Sequence, residues 1–208
     1  LYNKNSSSHL WYYDAGDDIS SVAISADGEY IVAGSNDNKV YLFDKDSSTP
    51  LWSYTTGGYV YSVAISADGE YIVAGSTDDK VYLFGKDSST PEWSYTAEND
   101  VNSVTISADG EYIAAGSIDN KVYLFDKDSS TPLWSYSIGD DVVSVAISAD
   151  GEHITVGSAG YNDNKVYLFD KDSSTPLWSY TTGGSLVNSV ALSADGEYIV
   201  AGSNTDKV

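Results

Sequence analysis

The chain has 208 residues, of which 41% are hydrophobic and 13% aromatic, a composition that fits one packed domain and excludes a disordered chain. It carries 31 acidic residues against ten lysines and no arginine, so its net charge of −21 excludes nucleic acid and anionic membranes as expected partners. The absence of cysteine excludes disulfides, thiolate metal sites and thiol nucleophiles, and no apolar run is long enough for membrane insertion.

A repeat of about 41 residues runs through the whole chain. The line SVAISADGEYIVAGS returns five times with few changes, beginning at Ser21, Ser62, Ser103, Ser144 and Ser189. The tryptophans follow the same period, with spacings of 41, 41, 41 and 44, at Trp11, Trp52, Trp93, Trp134 and Trp178. A period near 40 residues indicates stacked supersecondary units, each of which covers its neighbour.

Each unit contains four short runs rich in Val, Ile, Tyr, Phe and Trp, which predict four β-strands. In the second unit these runs are YSVAIS (61–66), EYIVAGS (70–76), KVYLFGK (80–86) and PEWSYT (91–96). The ADG sequence between the first two runs favours a tight hairpin, because Asp and Gly tolerate positive φ. KDSSTP and TTGG have the composition of loops.

The strands predict how the units are arranged. The runs YIVA and VYLF are apolar on both faces, so each sheet must be covered on both sides. Radial stacking satisfies this requirement, whereas a linear stack leaves two apolar faces exposed at its ends. We therefore predict an all-β fold, a single domain over residues 1–208 that is a β-propeller of four-stranded antiparallel blades, with five blades in this chain.

The two ends of the chain are related by the same repeat. LYNKNSSSHLWYY at 1–13 aligns with LFDKDSSTPLWSY at 42–54, and TDKV at 205–208 stops where a third strand begins. We expect residues 1–13 to complete the last blade. The alternative is that the chain is a segment of a larger propeller.

Two repeat families resemble this sequence. SVAISADGEYIVAGSNDNKVYLFD resembles the WD repeat, and KVYLFDKDSSTPLWSYTTGG resembles the quinoprotein-like (PQQ-type) repeat with its tryptophan-docking motif, in which Asp44 precedes Trp52 by eight positions. Both families are β-propellers, so the resemblance implies the same fold. It also implies that quinone-dependent members use a cofactor-contacting arginine and often paired cysteines, and since this chain has neither, we expect no cofactor.

Candidate catalytic and metal-binding groups are few. The chain has two histidines, His9 in a loop and His153 at a strand position that is tyrosine in other units, and a surface or strand role explains both better than catalysis. A catalytic triad needs a histidine base, and the same Ser and Asp recur in every unit, which indicates a structural role for them. The acidic pairs Asp17-Asp18 and Asp140-Asp141 could act on glycosides, but solvated loop carboxylates explain them better. DKDSS at 44–48 lacks the central glycine and distal glutamate of a calcium loop. We expect no enzyme activity and no metal site.

Differences between the units are gathered in two sets of loops. In a four-stranded meander, the blade links and the second hairpins share one end of each blade, and here both vary, whereas SADGE and KDSSTP at the other end barely change. Exposed aromatic and apolar groups within a polar rim are typical of a binding patch. The predicted partner-binding residues are Tyr59, Tyr61, Asn102, Ile118, Val143, Tyr161, Leu186 and Asn188.

The functional prediction is a non-enzymatic scaffold that binds a protein partner through these variable loops. The acidic loops favour a partner with a basic rim. The alternative is a lectin-like propeller that binds carbohydrate at repeated sites between blades. Charge and composition favour an extracellular or cell-surface location, and the sequence leaves the oligomeric state open.

Overall fold

The computed structural model describes residues 1–160, 163–183 and 186–204, and in these ranges the chain folds into five antiparallel sheets. The first three four-stranded sheets, or blades, are β1 (Ile19–Ile24) to β4 (Trp52–Thr55) with β2 (Tyr30–Ser35) and β3 (Lys39–Asp44) between them; β5 (Val60–Ile65), β6 (Tyr71–Ser76), β7 (Lys80–Gly85) and β8 (Trp93–Thr96); and β9 (Val101–Ile106), β10 (Tyr112–Ser117), β11 (Lys121–Asp126) and β12 (Trp134–Ser137). The fourth blade is β13 (Asp141–Ile147), β14 (His153–Ala159), β15 (Lys165–Asp170) and β16 (Trp178–Thr181), and β17 (Val187–Leu192) pairs with β18 (Ile199–Ser203).

Each blade is a meander in which consecutive strands pair. In the second blade, Val63 of β5 lies opposite Ala74 of β6, which lies opposite Tyr82 of β7. The hairpin between β5 and β6 turns at Gly69, whose φ of 76° is a conformation that residues with a Cβ rarely adopt. The prediction of four strands per repeat is confirmed.

Consecutive blades pack with their first strands side by side. The amide of Val63 donates to the Ser21 hydroxyl at 3.1 Å, and the amide of Val104 donates to the Ser62 hydroxyl at 3.0 Å. The turns after these strands are joined as well, since the Ala26 amide donates to the Ala67 carbonyl oxygen at 3.0 Å. The same bonds recur at each blade interface as far as β17. The first strands of consecutive blades therefore lie next to one another and form the inner side of the stack.

The core lies between the blades. Val32, Val40 and Leu42 of the first blade are fully buried against Ile72 and Phe84 of the second. The equivalent residues of later blades form the next two clusters. A sheet that lies between two neighbouring sheets therefore buries both faces, as its apolar composition predicts. Within the described residues, no helix is long and apolar enough to cross a bilayer.

Residues at the two ends form partial blades. Near the start of the chain, Tyr2 pairs with His9, and the Trp11 indole packs on Phe43 and donates to the Lys45 carbonyl oxygen at 2.6 Å. Trp52 makes the same contacts with the blade that follows it, so residues 1–13 take the place of a preceding fourth strand. Residues 205–208 lie outside the described ranges, and the completion of the last blade by residues 1–13 stays a prediction.

Candidate functional site: the variable face

The blade links and second hairpins lie at one end of the blades, where backbone hydrogen bonds join them. The amide of Thr77 donates to the Tyr59 carbonyl oxygen at 2.9 Å, and the amide of Ile118 donates to the Asp100 carbonyl oxygen at 3.0 Å. We call this end the variable face. The invariant turns meet at the opposite end, the repeated face, where the Lys86 amide donates to the Glu70 carbonyl oxygen at 2.8 Å and the two side chains form an ion pair.

A β-bulge occurs in the first strand of each blade at the position that varies most. Val60 lies opposite Ser76 and Ser62 opposite Gly75, so Tyr61 is an extra residue without a partner in the ladder. Because a bulge residue has no opposing residue to match, its side chain can change without disturbing the sheet. The same shift occurs at the equivalent positions, Ser20, Asn102, Val143 and Asn188.

Bulges of the first two blades are close together. The Ser20 hydroxyl donates to the carbonyl oxygen of Val60, the residue that precedes Tyr61. Tyr61 and Asn188 are exposed, whereas Asn102 and Val143 are half-buried. The side-chain Nδ2 of Asn188 also donates to Oδ1 of Asn204, which ties the fifth bulge to the turn that follows β18.

The remaining predicted residues lie in the loops of the variable face. Tyr59 is exposed, and its amide donates to the Thr77 hydroxyl at 2.9 Å. Ile118 is half-buried in the second hairpin of the third blade, and Leu186 is exposed just before β17. Tyr161 lies outside the described residues. Convergence of the full set on one channel mouth stays a prediction.

An aspartate and a tyrosine that the sequence reasoning missed hold this face together. Asp78 Oδ2 accepts a hydrogen bond from the Tyr82 hydroxyl at 2.5 Å and another from the Gly57 amide at 2.7 Å. The carboxylate thus ties the second hairpin to the preceding blade link. The same Asp–Tyr bond is made in the other blades by Asp37 and Tyr41, Asp119 and Tyr123, and Asp163 and Tyr167. The recurrent sequence D-x-K-V-Y is the signal that could have identified it.

Hydrogen bonds lower the pKa of Asp37, one of these aspartates. Burial alone would raise the pKa of Asp37, but hydrogen bonds from Tyr41, the Gly16 amide and Ser35 outweigh it, and the pKa lies below its usual value. Burial and the bond to Asp78 raise the pKa of Tyr82 far above its ordinary value. Asp37 is therefore an ionised carboxylate and Tyr82 a neutral phenol, and both make their hydrogen bonds within the fold.

Two other carboxylates on this face, those of Asp100 and Asp141, have a raised pKa. Burial, and then the charge of Asp79, raise the pKa of Asp100. Burial, and then the charge of Asp140, raise the pKa of Asp141. These groups repel their neighbours at neutral pH, so the variable face has a negative field that attracts cationic groups.

Both histidines have packing roles. In the other blades a tyrosine ring covers the hairpin glycine of the next blade, as Tyr30 covers Gly69. His153 covers Gly196 in the same way, with Nδ1 2.8 Å from the position that a Cβ on the glycine would take. His9 packs edge-on against Tyr12 with ring centroids 5.5 Å apart.

Four-stranded antiparallel meanders that repeat every 41 to 44 residues and pack face to face define the chain as a β-propeller repeat protein. The family model described as outer membrane protein assembly factor BamB, a PQQ-like repeat model, matches residues 1–140 and 77–208. The chain belongs to this family, and the resemblance to quinoprotein-like propeller repeats is confirmed. No curated protein gives a significant match to the chain.

Proposed function

We propose that this chain is a non-enzymatic interaction propeller that binds a protein partner through its variable face. The observation that carries the proposal is the position of sequence variation, which falls on the bulges and loops of one end while the opposite end repeats. Drift alone would change both ends. A bulge supports specialisation, because the side chain at that position can change while the blade keeps its register.

Exposed aromatic residues give this face the groups that bind proteins. Tyr59 and Tyr61 are 48% and 40% exposed, on either side of the buried Val60. Tyrosine provides a large contact area with one polar end and is enriched among residues that dominate binding energy. Leu186, at 36% exposure, adds an aliphatic group beside the fifth bulge.

Carboxylates around these residues favour a partner with a basic rim. Asp100 lies in a blade link and Asp141 is the first residue of β13, and the charge of a neighbouring carboxylate contributes to the raised pKa of each. Approach of lysine or arginine relieves this repulsion, so complementary charge accelerates association and makes it dependent on salt.

The family name supports a role in assembly at the cell envelope. The matching model is described as an outer membrane protein assembly factor. We infer a partner that is itself a protein and a location at the cell envelope or cell surface. The two histidines pack against Gly196 and Tyr12, which supports a role other than catalysis.

Affinity capture with the chain as bait tests this proposal. Tyr59→Ala combined with Tyr61→Ala should remove bound proteins that the wild-type chain retains, and weaken binding of a purified partner by about 2 kcal/mol or more. The matched control is Leu51→Ala with Leu133→Ala, which truncates two equally exposed apolar side chains on the repeated face. Loss of the partner from the leucine variant and retention by the tyrosine variant would place recognition on the repeated face and overturn the proposal.

A further inference from the structure

The first blade and the last pair of strands each leave one apolar face uncovered. Val22 of β1 is 66% exposed, whereas its equivalents in the later blades, such as Val63, are at most 7% exposed. At the other end, Val200 of β18 is 51% exposed, whereas its equivalent Val32 is fully buried. We call the surface formed by Ile19, Val22 and Gly28 the leading face, and the surface formed by Tyr198, Val200 and Gly202 the trailing face.

The internal blade interfaces show which residues cover each face. A Cβ added to Gly34 would lie 2.7 Å from Val60 and 3.1 Å from Val63 of the next blade, so the glycine of one blade packs on the two valines of the next. Gly157 packs in the same way on Val187 and Val190. Gly202 of the trailing face is equivalent in the repeat to Gly34, and Ile19 and Val22 of the leading face are equivalent to Val60 and Val63. The two faces therefore carry complementary packing partners.

A contact between a tyrosine and a hairpin glycine at each blade interface also indicates that the trailing face is complementary to the leading face. The Tyr30 ring lies over Gly69 of the following blade, and Tyr71 lies over Gly110. By the repeat, Tyr198, which is 72% exposed, is the mate of Gly28. A Cβ added at Gly202 would meet no atom of the described chain within 4 Å, and one at Gly28 would meet only its own hairpin.

The leading face forms one wall of a groove, and the N-terminal segment forms the other wall. An open cavity of about 490 Å³ lies between the N-terminal segment, with Trp11 and Tyr13, and the first blade, with Ile19, Val22 and Ile31. Trp11 and Tyr13 already pack on Phe43, as a fourth strand of a preceding blade does. The groove therefore lacks a pair of strands equivalent to β17 and β18.

We propose that a second copy of this chain fills the groove, so that its trailing face packs on the leading face of the first copy. The internal interfaces are nearly identical, with Trp–Phe centroid distances of 5.3 to 5.4 Å, and such packed contacts fix the angle between blades. Joining the two faces within one molecule would need these interfaces to change, whereas a second copy docks without any such change. The contact is head to tail, so it adds copies until a ring closes or a filament forms.

The charge of the chain determines when association occurs. Each copy carries a net charge of −21, so repulsion between copies opposes the apolar contact at low ionic strength. Screening shortens the range of this repulsion to about 3 Å at 1 M salt. Association should therefore strengthen with both protein concentration and sodium chloride.

Sedimentation of two single variants and their mixture tests the proposal. Val22→Asp blocks the leading face and Val200→Asp the trailing face, and each alone should need about 100-fold more protein to associate than the wild-type chain. An equimolar mixture retains one intact face from each variant, and should therefore form a complex of two chains that grows no further. The control Leu133→Asp adds the same charge at an exposed position on the repeated face and should associate as the wild-type chain does.

Each variant should fold as the wild-type chain does, because both substituted valines are exposed, and a melting curve of each variant checks this. A wild-type chain that stays monomeric at every protein and salt concentration would overturn the proposal, as would a mixture that behaves like its separate components. A double cysteine variant at Val22 and Val200 gives a second readout. A disulfide within one monomer would show that the chain's own strands fill the groove, and a disulfide between two chains supports the proposal.

Discussion

The indole of Trp52 lies against the ring of Phe84 in the next blade, with ring centroids 5.4 Å apart, and its Nε1 donates to the Lys86 carbonyl oxygen at 2.7 Å. One side chain thus supplies an apolar contact and satisfies a backbone acceptor at the end of a neighbouring strand. Trp93 makes the same pair of contacts with Phe125 and Lys127. The outer part of each blade interface is held by this residue.

Trp93→Ala should lower the free energy of unfolding by about 3 to 5 kcal/mol, because truncation of a large packed aromatic leaves a cavity. It also leaves the Lys127 carbonyl oxygen without its indole donor. The control is Trp178→Ala, since Trp178 is 43% exposed and should cost much less. Denaturant titration of both variants measures the difference. A loss under about 1 kcal/mol for Trp93→Ala would contradict the role of the tryptophan as a wedge.

The repeat made much of this architecture predictable from sequence. Alternating strand and turn chemistry located the four strands of a blade, and apolar composition on both faces indicated the stacking of blades. The first strand begins at Val60, one residue earlier than predicted, because the bulge at Tyr61 lets the ladder resume with Val60 opposite Ser76. The fourth begins at Trp93, two residues later than predicted, and Pro91 has no amide to donate.

The details of the variable face were harder to predict. The bond between Asp78 and Tyr82 joins residues four apart along the chain, and its importance depends on the Gly57 amide, 21 residues earlier. The D-x-K-V-Y sequence is a local signal for the bond between Asp78 and Tyr82, but the contact of Asp78 with the Gly57 amide joins distant loops and leaves no local spacing pattern. The bulge also escaped prediction, because sequence variability at Tyr61 and its equivalents has the same appearance in a loop and in an unpaired strand residue.

Melting temperature should rise with sodium chloride from low concentration to about 1 M, because screening reduces repulsion among the excess carboxylates. Of the described lysines, Lys45, Lys86, Lys127 and Lys171 each pair with a glutamate on the repeated face, and Lys39, Lys121 and Lys165 each pair with a carboxylate on the variable face. The 31 acidic residues still far outnumber the ten lysines, so most carboxylates have no cationic partner to offset their charge. The measurement is a thermal melt at fixed protein concentration, low enough to limit association. A flat or falling curve would show that the carboxylates are already neutralised by bound cations.

Two aspartates on the variable face should affect stability in opposite directions with pH. The pKa of Asp37 is lowered on folding, so its ionised form stabilises the fold above its unfolded value of 3.8, and this contribution is lost as pH falls through the folded pKa. The pKa of Asp100 is raised, so its ionised form destabilises the fold at neutral pH, and stability is gained as pH falls through that pKa.

Asp37→Asn should therefore destabilise the protein at pH 7, and Asp100→Asn should stabilise it. Both differences from the wild-type chain should shrink in acid, because the wild-type carboxyls are then protonated. Chemical denaturation at several pH values measures them, and Asp128→Asn, an exposed carboxylate on the repeated face, is the control. A stabilising effect of Asp37→Asn at pH 7 would show that burial, rather than the hydrogen bonds from Tyr41 and Gly16, dominates at this site.

Substitution at a bulge should leave stability nearly unchanged, whereas substitution beside it should not. Asn102 is the extra residue of the β9 bulge, so Asn102→Tyr, which copies the second blade, should shift the free energy of unfolding by no more than about 0.5 kcal/mol. Val101, one residue earlier, is fully buried between blades, and Val101→Ala should cost about 2 kcal/mol. Equal effects at the two positions would contradict the separation of binding specificity from folding that the bulge is proposed to provide.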